Sequence, residues 1–481
     1  MTCSRHRRPI MIMGCTSDAG KSFLTTALCR YYARKGLRVA PFKGQQISNN
    51  AAVTHDGQEM GRAQFFQAKA SRILPTEKMN PVLLKPSHEG KCEVIVLGRV
   101  DEEAMRTHWT QRSNALWPRV QQSLCALMEE YDLVIIEGAG SPAEPNLRHA
   151  DIVNFRVAHA AKAHVYLVAD IDRGGAFAHL YGTYLTLDSD DRALIKGFIL
   201  NKFIGDVHML GEATDWLEQK TGVPVVGVIP MVQHLLPEED MFHHKDVPVL
   251  GQINIALIMY PFASNLDEFD PLIYAPNVNV IPIRRWTGLD GYDAILLPGS
   301  KNSYKSLAFL RTTGLEKEIL EFASHGKLVM GVCGGMQILG NYIHDENHIE
   351  GEADVRGLGL LDLETWIEPQ KTTRQRETEW RDRDGSSVKI RGYEIHRGKT
   401  IAGKGANEHL PDGLGWCNGN IYGVYLHGLF ENRTYCQNFL EQIGWQGAMK
   451  DWNERVEKEI DKLADLVETS GWGDALGTLE E

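Results

Sequence analysis

The chain has 481 residues, of which 43% are hydrophobic and 24% charged, and its net charge is −12 at neutral pH. That balance suits a globular enzyme with two or three domains, and the acidic excess argues against a nucleic-acid binder, which needs a basic face to neutralise phosphates. The 8 cysteines are scattered, with no CxxC pair and no metal-ligand spacing, and no stretch is long enough to span a bilayer; the expectation is reduced thiols, a cytoplasmic location and no membrane insertion.

The opening "MTCSRHRRPIMIMG" is basic and then apolar, but the apolar run is too short for a signal peptide and reads as a first strand over 10–13. It leads into "MIMGCTSDAGKSFLTTAL", which runs strand, glycine loop, helix, with the helix over 21–35 stopping at Gly36. In this order the residue types form a phosphate loop. Gly14 lets the chain turn, Thr16, Asp18 and Ala19 lie along the loop, and Gly20 lets backbone N–H groups approach phosphate oxygens at a helix N-terminus. Lys21 offers a point charge for the terminal phosphates and Ser22 a hydroxyl for Mg²⁺. The loop has one more residue between its glycines than the commonest form and resembles that of dethiobiotin synthetase.

Further strands are expected over 38–42, 93–97, 133–136, 164–168, 196–200 and 224–229, alternating with helical patterns as in a parallel sheet covered by helices. "YDLVIIEGAG" ends a strand in Glu137, where a carboxylate at a parallel strand's C-terminal end suits Mg²⁺. Asp170 and Asp172 follow another strand, with metal binding and simple solvation equally open. "ILNKFIGD" ends a strand in Asn201, a candidate contact to a nucleotide base or a turn cap.

The stretch 231–250 is polar, carries prolines and reads as a linker. A second alternating half follows, with strands over 253–259, 278–283, 294–297, 328–332, 388–390 and 421–425. The charged run 372–387 reads as an exposed loop or hairpin tip, and the chain from about 451 as a helix and acidic tail. The fold class is α/β with two doubly wound domains: a P-loop domain over 1–230, the linker, a second domain over 251–445, and a C-terminal segment over 446–481.

"KLVMGVCGGMQILG" places Cys333 between a strand and a helix, flanked by Gly331, Gly334 and Gly335. A thiol on such a sharp turn reads as a nucleophile projecting from a sheet edge, with the Gly334 N–H at the helix start facing a developing oxyanion. "AILLPGSKNS" offers Gly299 and Ser300 to complete that hole, and "NIYGVYLHGLFEN" offers His427 as the base. Strand and PG turn, then GxCxG, then histidine resembles class I glutamine amidotransferase domains from about 252 to 443. That class usually has a glutamate two residues after the histidine; here the position is Leu429, leaving a Cys–His dyad or a substitute carboxylate, Glu394 or Glu431.

The two halves together, with "GCTSDAGKS", "APFKGQQISNNAAVTHDGQEMGRAQ", "MNPVLLKP", "EGAGSPAEPNLRHADIVN", "ADIDRGGAFAHLYGT", "LPGSKNS", "GVCGGMQILG", "GYEIHRG" and "YGVYLHGLFEN", resemble the cobyric acid synthase family along nearly the whole chain. Small departures are "KGQQISNN" and His149. The resemblance implies ATP, Mg²⁺ and L-glutamine as reactants or cofactors, and adenosylcobyrinic acid a,c-diamide as the corrinoid whose b, d, e and g carboxylates are amidated through acyl phosphates. It implies a catalytic or metal-binding role for Asp151 and makes Arg62, Lys85 and Arg173 candidate substrate contacts. The alternatives are the sibling a,c-diamide synthase and a P-loop switch ATPase carrying a non-catalytic amidotransferase-like domain.

Overall fold

The computed structural model describes residues 7–86, 92–236, 247–285, 288–289, 291–351, 354–382 and 384–477. Residues 237–246 of the expected linker and 478–481 of the expected tail lie outside the described residues.

The apolar runs Ile10–Gly14, Leu133–Glu137 and His164–Asp170 are buried along their whole length, as strands covered on both faces must be. They belong to a six-stranded parallel sheet in the order Val225–Pro230, Ile195–Phe203, His164–Asp170, Ile10–Gly14, Leu133–Glu137, Val39–Phe42. Ile10–Gly14 lies between a later block of strands on one side and an earlier-returning pair on the other. The loop after it therefore opens at the switch point of the sheet, where α/β folds form their crevices.

The second half repeats the design. Its seven-stranded sheet runs Val278–Ile283, Ile253–Ile258, Ala294–Leu297, Leu328–Val332, Ile421–Val424, Gly415–Asn418, Asn407–Leu410, the first five parallel and the last two added by successive antiparallel pairings. Leu328–Val332 sits centrally and delivers Cys333 to the sheet's C-terminal edge.

One strand differs from expectation. Cys92–Val96 is not in the parallel sheet; it pairs antiparallel with Val82–Pro86 in a separate four-stranded sheet. The chain between those two strands is too short for a parallel crossover. The run 372–387 is the hairpin tip that was expected, the far end of a long antiparallel ribbon, Leu363–Arg381 against Ser387–Ala402, which also contains the expected strand 388–390. Nearer its base the ribbon faces the first half: Lys371 pairs with Glu59 at 2.6 Å and Glu93 at 2.9 Å, and Arg397 with Glu93 at 3.0 Å.

The acidic C-terminal segment also docks. Helix Trp452–Thr469 buries Val456, Ile460, Leu463, Ala464 and Val467 on one face, in the same core as Phe23, Leu24 and Leu28 of helix Lys21–Arg34. Its acids meet that helix's bases, Arg30 with Glu457 at 2.6 Å and Arg34 with Asp465 at 2.5 Å. Cys15, Cys29, Cys92, Cys333, Cys417 and Cys436 are free thiols. Among the described residues no helix is long and apolar enough to cross a membrane.

The docked helix generates a test. Ile460 is fully buried, so Ile460→Ala should destabilise the protein by about 2–5 kcal/mol, while Lys458→Ala, on the exposed face, should stay within about 0.5 kcal/mol. Denaturant unfolding followed by tryptophan fluorescence measures both; equal small effects would mean that the segment is not docked.

Candidate functional site

Two centres stand at the C-terminal edges of the two parallel sheets. In the first, Gly20 has φ 94°, and a Cβ there would lie 2.0 Å from Asn201 Nδ2, so the loop closes only with glycine at that position. Asn201 Nδ2 donates to Ala19 O at 2.9 Å, which makes it a buttress of the loop. Lys202 Nζ donates to Asp18 O at 2.8 Å and pairs with Asp170 at 2.9 Å, bracing the loop from the same strand end. Lys21, at the helix start, folds its Nζ back to Thr16 O at 3.1 Å.

Ser22 Oγ donates to Glu137 Oε1 at 2.8 Å. Glu137 is fully buried, and its carboxylate also accepts from Lys43 Nζ at 2.7 Å and Gln67 Nε2 at 2.5 Å. A helix-start hydroxyl and a strand-end carboxylate this close, beside a phosphate loop, are a hard-oxygen pair that fits Mg²⁺. Lys43 and Gln67 were not singled out from the sequence; Lys43 lies in a string quoted above, and Gln67 three residues beyond its end. Asp170, 4% exposed, is held by Lys202, with Arg173 at 3.4 Å.

In the second centre Cys333 adopts φ 51° and ψ −108°, a strained conformation for a non-glycine residue that costs about 1–3 kcal/mol. Neighbouring glycines permit it: a Cβ on Gly335 would lie 2.0 Å from Leu297 O, and one on Gly334 would lie 2.6 Å from Ser300 N. The Gly334 and Ser300 backbones are therefore side by side, and a Cβ on Gly299 would lie 3.3 Å from His427 Cε1. Cys333, Gly334, Gly299, Ser300 and His427 are brought together from three separate segments.

His427 is 1% exposed, and its Nδ1 lies 3.1 Å from Glu268 Oε1 and 3.2 Å from Oε2. The Glu268 carboxylate also accepts from Gly428 N–H at 3.3 Å. Burial alone would lower the imidazole's pKa, but the Glu268 charge and the neighbouring Cys333 thiol outweigh it and raise it to about 10. The same burial holds the Glu268 carboxyl above the usual range for glutamate, while the imidazole beside it pulls the other way. The ring nitrogen on the other side, Nε2, is buried without a hydrogen-bond partner in regular geometry, although the thiol is close enough to bear on its protonation. Tyr393 stacks on the imidazole with centroids 5.2 Å apart.

The carboxylate on His427 is thus Glu268, neither of the two expected substitutes. Glu394 pairs with Arg374 at 2.5 Å, Arg376 at 3.0 Å and His396 at 3.2 Å. Glu431 pairs with Arg62 at 2.7 Å.

The candidate substrate contacts fare differently. Arg62 is 7% exposed and held in ion pairs, so it is not an open substrate contact. Lys85 is 1% exposed and pairs with Glu59 at 2.5 Å. It does line a cavity of about 390 Å³, shared with Glu93 of the first half and with Cys333, Ser300, Lys301 and Arg397 of the second. Arg173 stands half-exposed at the phosphate loop, 3.4 Å from Asp18. Asp151 Oδ1 accepts from Val153 N–H at 2.9 Å and Asn154 N–H at 2.8 Å, so one of its oxygens caps the turn that Asn154 ties to Ala139, just past Glu137.

Residues 10–242 match the family described as the CobQ/CobB/MinD/ParA nucleotide binding domain, and residues 254–435 the CobB/CobQ-like glutamine amidotransferase domain. A protein of Deinococcus radiodurans named cobyric acid synthase is 48% identical over 448 residues, covering 89% of this chain and 92% of that one. One of the same name from Polaromonas naphthalenivorans is 47% identical over 480 residues, covering 96% of each chain. A third, from Paracidovorax citrulli, is 49% identical over 450 residues, covering 88% and 91%.

If Glu268 is what holds the imidazole's proton, Glu268→Gln should drop the His427 pKa well below its present value of about 10, because the burial that lowers it remains and the anion that raises it is gone. Nitrogen-15 NMR of the histidine rings across pH reads this directly. A ring still titrating near its former value would assign the proton's stability to another group.

Proposed function

The chain belongs to the cobyric acid synthase family, and from that premise we propose that it amidates the b, d, e and g carboxylates of adenosylcobyrinic acid a,c-diamide, using ATP and the amide nitrogen of glutamine. The observation that carries this reading is the pairing, in one chain, of a phosphate loop whose serine bonds a buried carboxylate with a strained cysteine beside a buried Glu–His pair.

In the amidotransferase half, the Cys333 sulfur attacks the side-chain amide carbon of glutamine. His427 takes the thiol proton and passes it to the departing ammonia. The Glu268 carboxylate favours the protonated ring, so the proton given up by the thiol rests on the imidazole until the leaving nitrogen takes it. Glu268 keeps the ring's orientation and balances its charge. The Gly334 and Ser300 N–H groups receive the oxyanion, and water then releases glutamate from the thioester.

In the P-loop half, the substrate carboxylate attacks the γ-phosphorus of ATP and ADP leaves. Ammonia then adds to the acyl phosphate and inorganic phosphate leaves, giving the amide. A free carboxylate is a poor electrophile, which is why activation must come first. The loop N–H groups and Lys21 hold the β and γ phosphates. Ser22 and Glu137 are the residues that would hold Mg²⁺, whose contribution is neutralising phosphate charge. Lys43 and Gln67 orient Glu137, and Asn201 and Lys202 keep the loop in shape. Arg173 stands where it can meet phosphate or an incoming carboxylate, and Asp151 acts by fixing the turn next to Glu137.

Two substitutions test the division of labour. Cys333→Ser should abolish glutamine-supported synthesis and leave ammonium-supported synthesis intact, whereas equal loss of both would contradict separate centres. Lys21→Ala should stop amidation from either nitrogen source while glutamate release from glutamine persists. Synthesis retained at saturating ATP would remove the phosphate-loop assignment.

A further inference from the structure

Arg62 begins helix Arg62–Ala70 of the P-loop half, yet its buried side chain reaches into the other half. Its Nε pairs with Asp267 at 2.5 Å and its Nη2 with Glu431 at 2.7 Å. These two carboxylates stand on two different single-turn helices, Leu266–Phe269 and Leu429–Glu431. The first turn carries Glu268; the second starts two residues after His427. One guanidinium therefore clamps together the two turns that bring Glu268 and His427 into contact.

The same region is tied to the P-loop half a second time. Ala51 N–H donates to Asn265 Oδ1 at 3.0 Å, and Leu266 N–H donates to Asn50 Oδ1 at 3.4 Å. Tyr393, stacked on the imidazole, donates its hydroxyl to Ala51 O at 3.1 Å. At the other end of the Arg62 helix, Gln67 donates to Glu137. One nine-residue helix thus touches both centres.

We propose that Arg62 is a positioning residue for glutamine hydrolysis: by bridging Asp267 and Glu431 it fixes Glu268 against His427, so the amidotransferase centre is complete only with the P-loop half docked on it. The proposal rests on the reading of Cys333 and His427 as the glutamine-hydrolysing pair. The role needs arginine, whose planar guanidinium presents several donors at fixed angles and spans two carboxylates, whereas lysine offers a point charge that serves one. Arg62 touches neither thiol nor imidazole and acts only through the two turns.

The test is a double-mutant cycle in the full chain, reading glutamate release from glutamine beside ammonium-supported synthesis. Arg62→Gln should lower kcat for glutamine hydrolysis by about ten- to a hundredfold, as expected when a catalytic group is misplaced by about an ångström, with KM for glutamine little changed. Arg62→Lys should not restore it, and Asp267→Asn should reproduce the loss. Ammonium-supported synthesis should persist in each variant. In a Glu268→Gln background, Arg62→Gln should add little further loss, because the group it positions is already disabled. The proposal is overturned if Arg62→Gln hydrolyses glutamine at the wild-type rate, if its effect multiplies fully with that of Glu268→Gln, or if ammonium-supported synthesis falls equally, which would mark a merely structural residue. A wild-type chain that releases no glutamate would instead remove the underlying reading.

Discussion

His427 is almost entirely out of water, and the ionic partner of its Nδ1 is the carboxylate of Glu268 at 3.1 Å. Two groups buried in this way hold their charges only while they stay in register, because separating them leaves each one desolvated and unpaired. The turn Leu266–Phe269, its αL residue Asn265 and the stacked ring of Tyr393 all serve that register. So does the first half of the chain, which grips the turn through Asn50, Ala51 and Arg62. The glutamine centre is in this sense a product of the interface between the halves as well as of its own sheet.

That interface is ionic to an unusual degree. Glu59 and Glu93 of the first half face Lys301, Lys371 and Arg397 of the second, with Lys85 closing the group. Burial would raise the Glu59 carboxyl, but the charges of Lys371 and Lys85 outweigh it and keep it near 2. Breaking one partner out of such a cluster typically costs about 3–5 kcal/mol, so the halves are fixed in one relative pose more than they are merely held together. The cavity that reaches Cys333 is walled by this cluster, and its shape therefore depends on the same pose.

Much of this was legible in the sequence for physical reasons. Short apolar runs punctuated by glycine turns and amphipathic helices gave the parallel strands nearly to the residue. The phosphate loop and the cysteine elbow were legible because each packs its glycines into a few consecutive positions. Leu429 signalled that the usual carboxylate was missing after His427, but nothing pointed to its replacement. Glu268 lies 159 residues before the histidine, in "SNLDEFDP", an acidic turn with no spacing that links it to a nucleophile. Of the ribbon 363–402 only the tip was legible: Arg374 and Arg376 pair with Glu394 and Glu377 with Arg391 inside the ribbon, and charges so paired look the same in sequence as charges bathed in water. Arg62 was misread for the same reason, since a conspicuous arginine suggests an anionic ligand whether its anions are substrate or protein.

The central claim is that one chain moves the amide nitrogen of glutamine onto carboxylates activated by ATP. The most direct measurement is mass spectrometry of the corrinoid after incubating the full chain with ATP, Mg²⁺, adenosylcobyrinic acid a,c-diamide and glutamine labelled with nitrogen-15 at its amide. The account predicts a product carrying four labelled amides, formed together with ADP, phosphate and glutamate. A corrinoid of unchanged mass despite turnover of ATP or glutamine would contradict it.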